Sequence, residues 1–291
     1  MNRSSIIALL GLLPLLSCQD VVELEVPESE PQLVVDGWVT DQQPAQVILS
    51  TTDAYFAQGS TPRISDARVY LLENGDTVAQ LRENQDTAGL YRAPFTGQPG
   101  RRYRLRLTVP NGPPGVAGTW ESQLETLRPV PTLDSINIRR LDRNTQPPAI
   151  QAGAYALGYF QERPGPGDHL NVTRSLNDSV FQRDIFALED EGVDGFYFGS
   201  GLVPPLGLYG PFDRPPRHAD PDTFSTRLES ITPNYYDFLQ VLSEQINVGT
   251  PFDAAPALIL GNVRHTRDTS QYAFGYFRAS ALSSAQVIYR P

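Results

Sequence analysis

The sequence predicts a mainly β protein: an N-terminal immunoglobulin-like or transthyretin-like β-sandwich, then a second β-rich domain carrying one clear helix at about 233–247. Three observations predict it. Short runs of alternating apolar and polar residues recur between Leu33 and Leu127, with turn residues between them, as half-buried strands require. Gly and Pro number 23 and 26 of 291 residues, which suits many strands joined by tight turns. Beyond residue 133, a single segment repeats its apolar residues clearly at helical spacing.

The chain opens on a secretion signal. Arg3 is the only charged side chain before Asp20, and an apolar run from Ile6 to Leu16 is broken only by Gly11 and Pro14. That run is shorter than the roughly 20 apolar residues a spanning helix needs. Leu15-Leu16-Ser17-Cys18 resembles a bacterial lipobox, with an aliphatic residue three places before the cysteine and a small one directly before it. Residues 1–17 therefore read as a lipoprotein signal peptide, and Cys18 as the lipidation site. Several acyl chains hold far more firmly than the single chain that binds reversibly, so the expected location is a membrane, with the lipid as the contact.

Residues 18–31 read as an acidic tether, with two prolines and no helical stripe. Asp20 and Glu23 resemble the surface-export signals of Bacteroidetes lipoproteins; a plain solvated linker is the alternative.

Residues 32–128 form the expected β-sandwich domain. Strands are read at Leu33–Thr40, Gln46–Thr51, Ala67–Glu73, Thr77–Arg82, Gly89–Ala93, Arg102–Val109 and Gly118–Leu127. Asn74-Gly75 and Asn111-Gly112 are hairpin-type turns. Arg102–Val109 alternates strictly, with Tyr103, Leu105, Leu107 and Val109 on one face and Arg102, Arg104, Arg106 and Thr108 on the other. The arginine stripe reads as the solvated face of an edge strand, with a ligand surface as the alternative.

Pro129–Thr132 is the linker, and residues 133–291 form the second domain. Strands are expected at Leu133–Arg139, Ala154–Gln161, His169–Ser175, Val180–Ala187, Thr223–Ile231, Gln271–Ala279 and Gln286–Tyr289, with a Gly/Pro-rich stretch at 192–221. For the helix, Thr232 is the cap, Pro233 the first helical residue and Gly249 the stop. Tyr235, Leu239, Leu242 and Ile246 share one face.

Composition excludes more chemistry than it nominates. Hydrophobic residues are 40% of the chain, enough for a core. The net charge of −10 argues against nucleic acid, and against adsorption of the body to anionic lipid. Cys18 is the only cysteine, so no intrachain disulfide, cysteine nucleophile or thiolate metal site is expected. All 23 basic residues are arginine, which removes Schiff-base chemistry and a phosphate-loop lysine. No known catalytic motif is present, and no cofactor is expected.

Three features remain as candidates. Glu189, Asp190, Glu191 and Asp194 are weak candidate cation ligands, without the spacing of a known calcium loop. His218, Asp220 and Asp222 form a second acidic group, better explained by turn chemistry; His169 and His265 stand alone. Phe196, Tyr197, Phe198, Tyr209 and Phe212, with Tyr235 and Tyr236 beyond them, could present a ligand-binding surface on loops. Packing beneath a long loop is the plainer explanation.

The lipobox, LVVDGWVTDQQPAQVILSTTDAYF (33–56), SDARVYLLENG (65–75), GLYRAPFTGQPGRRYRLRLTV (89–109) and ETLRPVPTLDSI (125–136) occur in that order. YYDFLQVLSEQINVGTPFDAAPALILGNV (235–263) and FGYFRAS (274–280) follow. Together they resemble the Bacteroidetes lipoproteins catalogued as a domain of unknown function, DUF4249. The resemblance carries no catalytic residues. It implies a lipid-anchored outer-membrane accessory or binding protein, working with a TonB-dependent receptor in nutrient uptake, with the extracellular face favoured over the periplasmic. The alternatives are a surface glycan hydrolase using a carboxylate pair, and a structural or adhesive β-module.

Overall fold

The computed structural model describes residues 30–53, 59–141, 152–181, 185–212, 221–246 and 258–289. The signal peptide, Cys18, most of the tether, His218, Asp220 and Gly249 lie outside the described residues. The described chain is mainly β with one helix, as the sequence predicts.

The first sheet begins with β1 (Leu33–Thr40) and β2 (Ala45–Thr51), an antiparallel pair. Next come β3 (Arg68–Glu73), β4 (Asp76–Glu83), β5 (Leu90–Ala93), β6 (Arg102–Val109), β7 (Gly118–Ser122) and the short β8 (Glu125–Thr126). The β3–β4 hairpin turns on Asn74 and Gly75, both at positive φ (52° and 97°), the backbone that tight hairpin turns demand. Alternation sets the burial: Tyr103, Leu105 and Leu107 of β6 are fully buried, while Arg102 and Arg106 are exposed.

Two further strands of this sheet come from the far end of the chain. β17 (Val263–His265) pairs with β7, and β18 (Phe274–Ser280) runs parallel to β1 from Val34–Phe274 to Thr40–Ser280. The boundary read from sequence assigns residues 263–280 to the second domain, yet their strands hydrogen-bond into the first sheet. A strand's own pattern encodes its buried face but not its partner.

The hydrogen-bonded path runs β17-β7-β6-β3-β4-β5-β2-β1-β18, with β8 on β6. β6 therefore lies between β3 and β7, and the arginine stripe is on an interior strand, not an edge strand. β4 changes partner along its length, pairing with β3 up to Leu81 and with β5 at Arg82 and Glu83. Leu33, Val35 and Val47 share one buried cluster with Leu105, Leu107 and Trp120. Strands distant along the path thus bury their side chains together, and the sheet curls over its own core.

The rest of the chain builds two smaller sheets. β9 (Leu133–Leu141) and β10 (Gly153–Gln161) pair, and β10 also takes β14 (Tyr197–Phe198) and β15 (Leu206–Phe212). β11 (His169–Leu176) pairs with β12 (Ser179–Val180), β13 (Ala187–Glu189) and β16 (Asp222–Ile231), and β16 pairs with β19 (Leu282–Tyr289). Leu133, Ala156, Phe160, Val172, Leu208 and Leu228 pack between these two sheets. The single strand expected at Val180–Ala187 is instead β12 and β13, and the Gly/Pro-rich stretch contains β14 and β15.

The helix, α1 (Pro233–Ile246), follows β16 after Thr232. The Thr232 carbonyl accepts from the amides of Tyr235 and Tyr236, which marks it as the cap residue. Tyr235 and Leu239 are buried, but Ile246, on the face that the sequence pattern assigns to the core, is 41% exposed.

Candidate functional site

β18 and β19 are separated only by Ala281 and belong to different sheets, so residues 274–289 run as one ribbon from the first sheet into the third. Side chains alternate along a strand. Phe277 and Ala279 enter the first core, which leaves Tyr276 and Arg278 on the opposite face, toward α1 and β16. Gly275 makes this path possible. Its φ is +77°, and a Cβ there would lie 2.2 Å from the Val35 carbonyl oxygen. Gly261 beside it is as tightly held, its Cβ position 2.1 Å from the Gly275 carbonyl oxygen.

Two polar networks sit on this face. In the first, Arg278 Nε donates to Glu229 Oε1 at 2.8 Å and Nη1 lies 3.5 Å from Asp36. The guanidinium also stands 5.2 Å from the Trp38 ring centre and 5.6 Å from that of Tyr235. Asn171 Nδ2 donates to the other Glu229 oxygen at 3.2 Å. Burial is the largest influence and would raise the Glu229 carboxyl, but the charge and hydrogen bond of Arg278, the charge of Arg227 and the Asn171 bond together hold the group below the usual carboxylate range.

In the second network, Glu125 accepts three hydrogen bonds: from Thr232 Oγ1 at 2.8 Å, Asn262 Nδ2 at 2.9 Å and the Tyr276 hydroxyl at 3.1 Å. All three donors are neutral. Burial pushes the Glu125 carboxyl up, against the pull of these bonds. It raises Tyr276 as well, and moves Tyr235 up to about 12. Asn262 also clamps β18, accepting from the Phe277 amide at 2.9 Å and donating to the Phe277 carbonyl at 2.8 Å.

Asn262 and Tyr276 form the floor of an open cleft of about 360 Å³. One wall is α1, through Asn234, Asp237, Phe238 and Val241; the other is Leu258, Ile259 and Leu260. Leu258 and Leu260 are 68% and 46% exposed. Gln123 completes the rim, its amide oxygen accepting from Asn234 Nδ2 at 3.3 Å. The cleft offers apolar walls with amide, hydroxyl and carboxylate groups at the floor and rim, a combination suited to holding a small organic ligand.

The sequence candidates fall elsewhere. Asp190 and Asp194 do meet, joined by Glu162, with ligand atoms all within 4.8 Å of one another. Glu189 and Glu191 are not in that group. Backbone amides occupy its carboxylates: Gly195 N on Glu162 at 2.6 Å, Gly165 N on Asp194 at 2.8 Å, and Gly167 N and Asp168 N on Asp190 at 2.8 and 3.0 Å. These carboxylates pin the loops at 163–168 and 190–195. The void beside them is about 20 Å³, room for roughly one water.

The aromatic candidates separate. Phe198 stacks on Phe160 at 4.4 Å, and Tyr209 packs on Phe224 while its hydroxyl lies 3.0 and 2.7 Å from the carbonyls of Ser175 and Ser225. Phe196 is 41% exposed and Tyr197 half-buried. The Phe212 side chain lies outside what is described. Tyr236 meets His169 edge-on at 4.8 Å, and His265 packs on Trp120 at 5.0 Å, so neither histidine approaches the other.

Glu125, Asn262, Tyr276, Glu229 and Arg278 are not among the candidates read from sequence. The available signal was positional: Glu125, Asn262, Tyr276 and Arg278 all lie within the segments that carry the family resemblance. A family model described as a domain of unknown function (DUF4249) matches residues 19–286. No curated protein matches the chain.

Proposed function

The chain belongs to the DUF4249 family, and from that premise we propose that it is a non-enzymatic binding or accessory lipoprotein. In this reading, lipid on Cys18 holds it to the outer membrane, with the extracellular face favoured, and it works with a TonB-dependent transporter in nutrient uptake. The cleft beside α1 holds the ligand.

The cleft carries the reading. Its volume of about 360 Å³ lies within the range of small-molecule sites, roughly 300–1,000 Å³. Its floor is fixed by bonds that leave Glu125 saturated with donors, which suits holding a ligand better than moving protons. The Glu162, Asp190 and Asp194 cluster faces a void far too small for a sugar ring, so it does not favour a glycan hydrolase.

Chemical cross-linking in intact outer membranes, followed by identification of linked proteins, tests the partnership. A TonB-dependent receptor is expected as the recurrent partner. Repeated recovery of other proteins but no receptor would reject the transporter role.

A further inference from the structure

The net charge of −10 conceals a sharp segregation. The outward face of β3 to β7 carries Arg68, Arg82, Arg92, Arg102, Arg104 and Arg106, with Arg264 beyond on β17. Register places like charges side by side. Arg82 sits directly opposite Arg92, and Arg68 is one step beyond the Val69–Leu81 pair, next to Arg82. Like charges facing each other across strands destabilise a sheet, so folding gives no reason for this row.

Counter-charge on the face is sparse. Glu121 lies 3.4 Å from Arg104 and 2.6 Å from Arg106, and sits opposite Arg264, which also stands over the Tyr272 ring. Arg92 bonds a neutral group, Gln46 Oε1, at 2.6 Å. No ion pair joins Arg68, Arg82 or Arg102 among the described residues.

We propose that this arginine face docks on the anionic headgroups of the membrane that holds the lipid anchor, laying the body against the bilayer. The inference rests on the anchored reading above. Two observations select the membrane as the occupant. Charge complementarity is local: the chain is acidic as a whole, with a net charge of −10, while this face gathers arginines from adjacent strands. The point of attachment is also adjacent. The Leu33 amide donates to the Gly115 carbonyl at 3.1 Å, in the loop that leaves the arginine-bearing β6. The tether therefore joins the body at one end of the charged strand. Residues 18–32 reach at most about 50 Å at ~3.3–3.6 Å each, which lets the face come into contact with the headgroups.

The test uses the full lipidated chain in phosphatidylcholine vesicles with and without phosphatidylglycerol. With Cys18 acylated, Gln80→Cys on the outward face of β4 supplies the only free thiol for a fluorophore, and headgroup-labelled lipid is the energy-transfer acceptor. Ser284→Cys on β19 is the control position. Transfer from position 80 should rise on anionic vesicles and return to the neutral-vesicle value in about 1 M salt, where the screening length is ~3 Å. In the Arg68→Gln, Arg82→Gln, Arg92→Gln variant the ratio of apposed to detached bodies should fall about a hundredfold. That variant should melt at the same temperature as the parent or higher, since it removes like-charge pairs. Equal transfer on both vesicles, or transfer unchanged in the triple variant, would overturn the proposal, and would leave an acidic protein as the partner of this face. A chain that fails to incorporate into vesicles rejects the anchor instead. The same label on a free chain carrying Cys18→Ser then judges the arginine face by the same comparison of anionic with neutral vesicles.

Discussion

Two buried carboxylates on the same face of the β18–β19 ribbon solve the same problem in opposite ways. Glu229 and Glu125 are each 2% exposed. Glu229 has a cation, Arg278, and its proton affinity drops. Glu125 has only neutral donors, and its proton affinity rises. Desolvation disfavours a charge in both places, and a nearby opposite charge is what reverses the outcome. The first network therefore works as a joint between sheets. The second works as a polar floor, and the cleft opens above it.

The comparison breaks most readily at Arg278. Arg278→Met leaves Glu229 buried with Asn171 and the charge of Arg227 but without its ion-pair partner, and should cost about 3–5 kcal/mol in chemical denaturation. Adding Glu229→Gln should recover a substantial part of that loss, because removing both charges is far milder than orphaning one. A double variant as unstable as the single would show that Arg278 acts through packing on Trp38 and Tyr235 instead.

Asn262→Ala comes next. It removes the amide that ties Glu125 to the Phe277 backbone, leaving a buried N–H without its partner, and should cost about 1–3 kcal/mol. A loss within experimental error would mean that the clamp on β18 is dispensable.

The pH response separates the two carboxylates by sign. Glu229 is depressed in the folded state, so its stabilisation is present above the unfolded value of 4.5 and is lost as pH falls through its folded pKa. Glu125 is raised, so its favourable contribution is present below 4.5 and is lost as pH rises through its folded pKa. Thermal melting across that upper window should show stability falling as pH rises, and Glu125→Gln should flatten the fall. An unchanged profile in the variant would assign the slope to other groups.

The smallest effect is at the surface. Glu121→Gln removes the carboxylate shared by Arg104 and Arg106, and should change stability by no more than about 1 kcal/mol. A larger loss would mean that the arginine face is held by ion pairs and is not left open.

What was legible in the sequence follows from how local each signal is. β1 and β6 announce themselves because period-two alternation is contained within eight residues. α1 is framed by Thr232 and Pro233 in the same way. β17 has only three residues, too few to show a period, and its pairing with β7 joins residues more than a hundred positions apart. The cleft was invisible for the same reason. Glu125, Asn262 and Tyr276 are ordinary residues in three separate segments, and only the return of β18 to β1 brings them together. The acidic run at 189–194 was visible, but two of its members take backbone amides and two stand outside the cluster, which spacing alone does not encode.

The most direct test of the account is whether the cleft holds a ligand. Native mass spectrometry of the chain purified from its native source, with identification of any small molecule it carries, should find an adduct in the parent protein. Leu260→Asp, which places a charge on the cleft wall at a position 46% exposed, should lower the adduct at least tenfold while leaving the melting temperature unchanged. An adduct carried equally by parent and variant, or carried by neither, would contradict a ligand site beside α1.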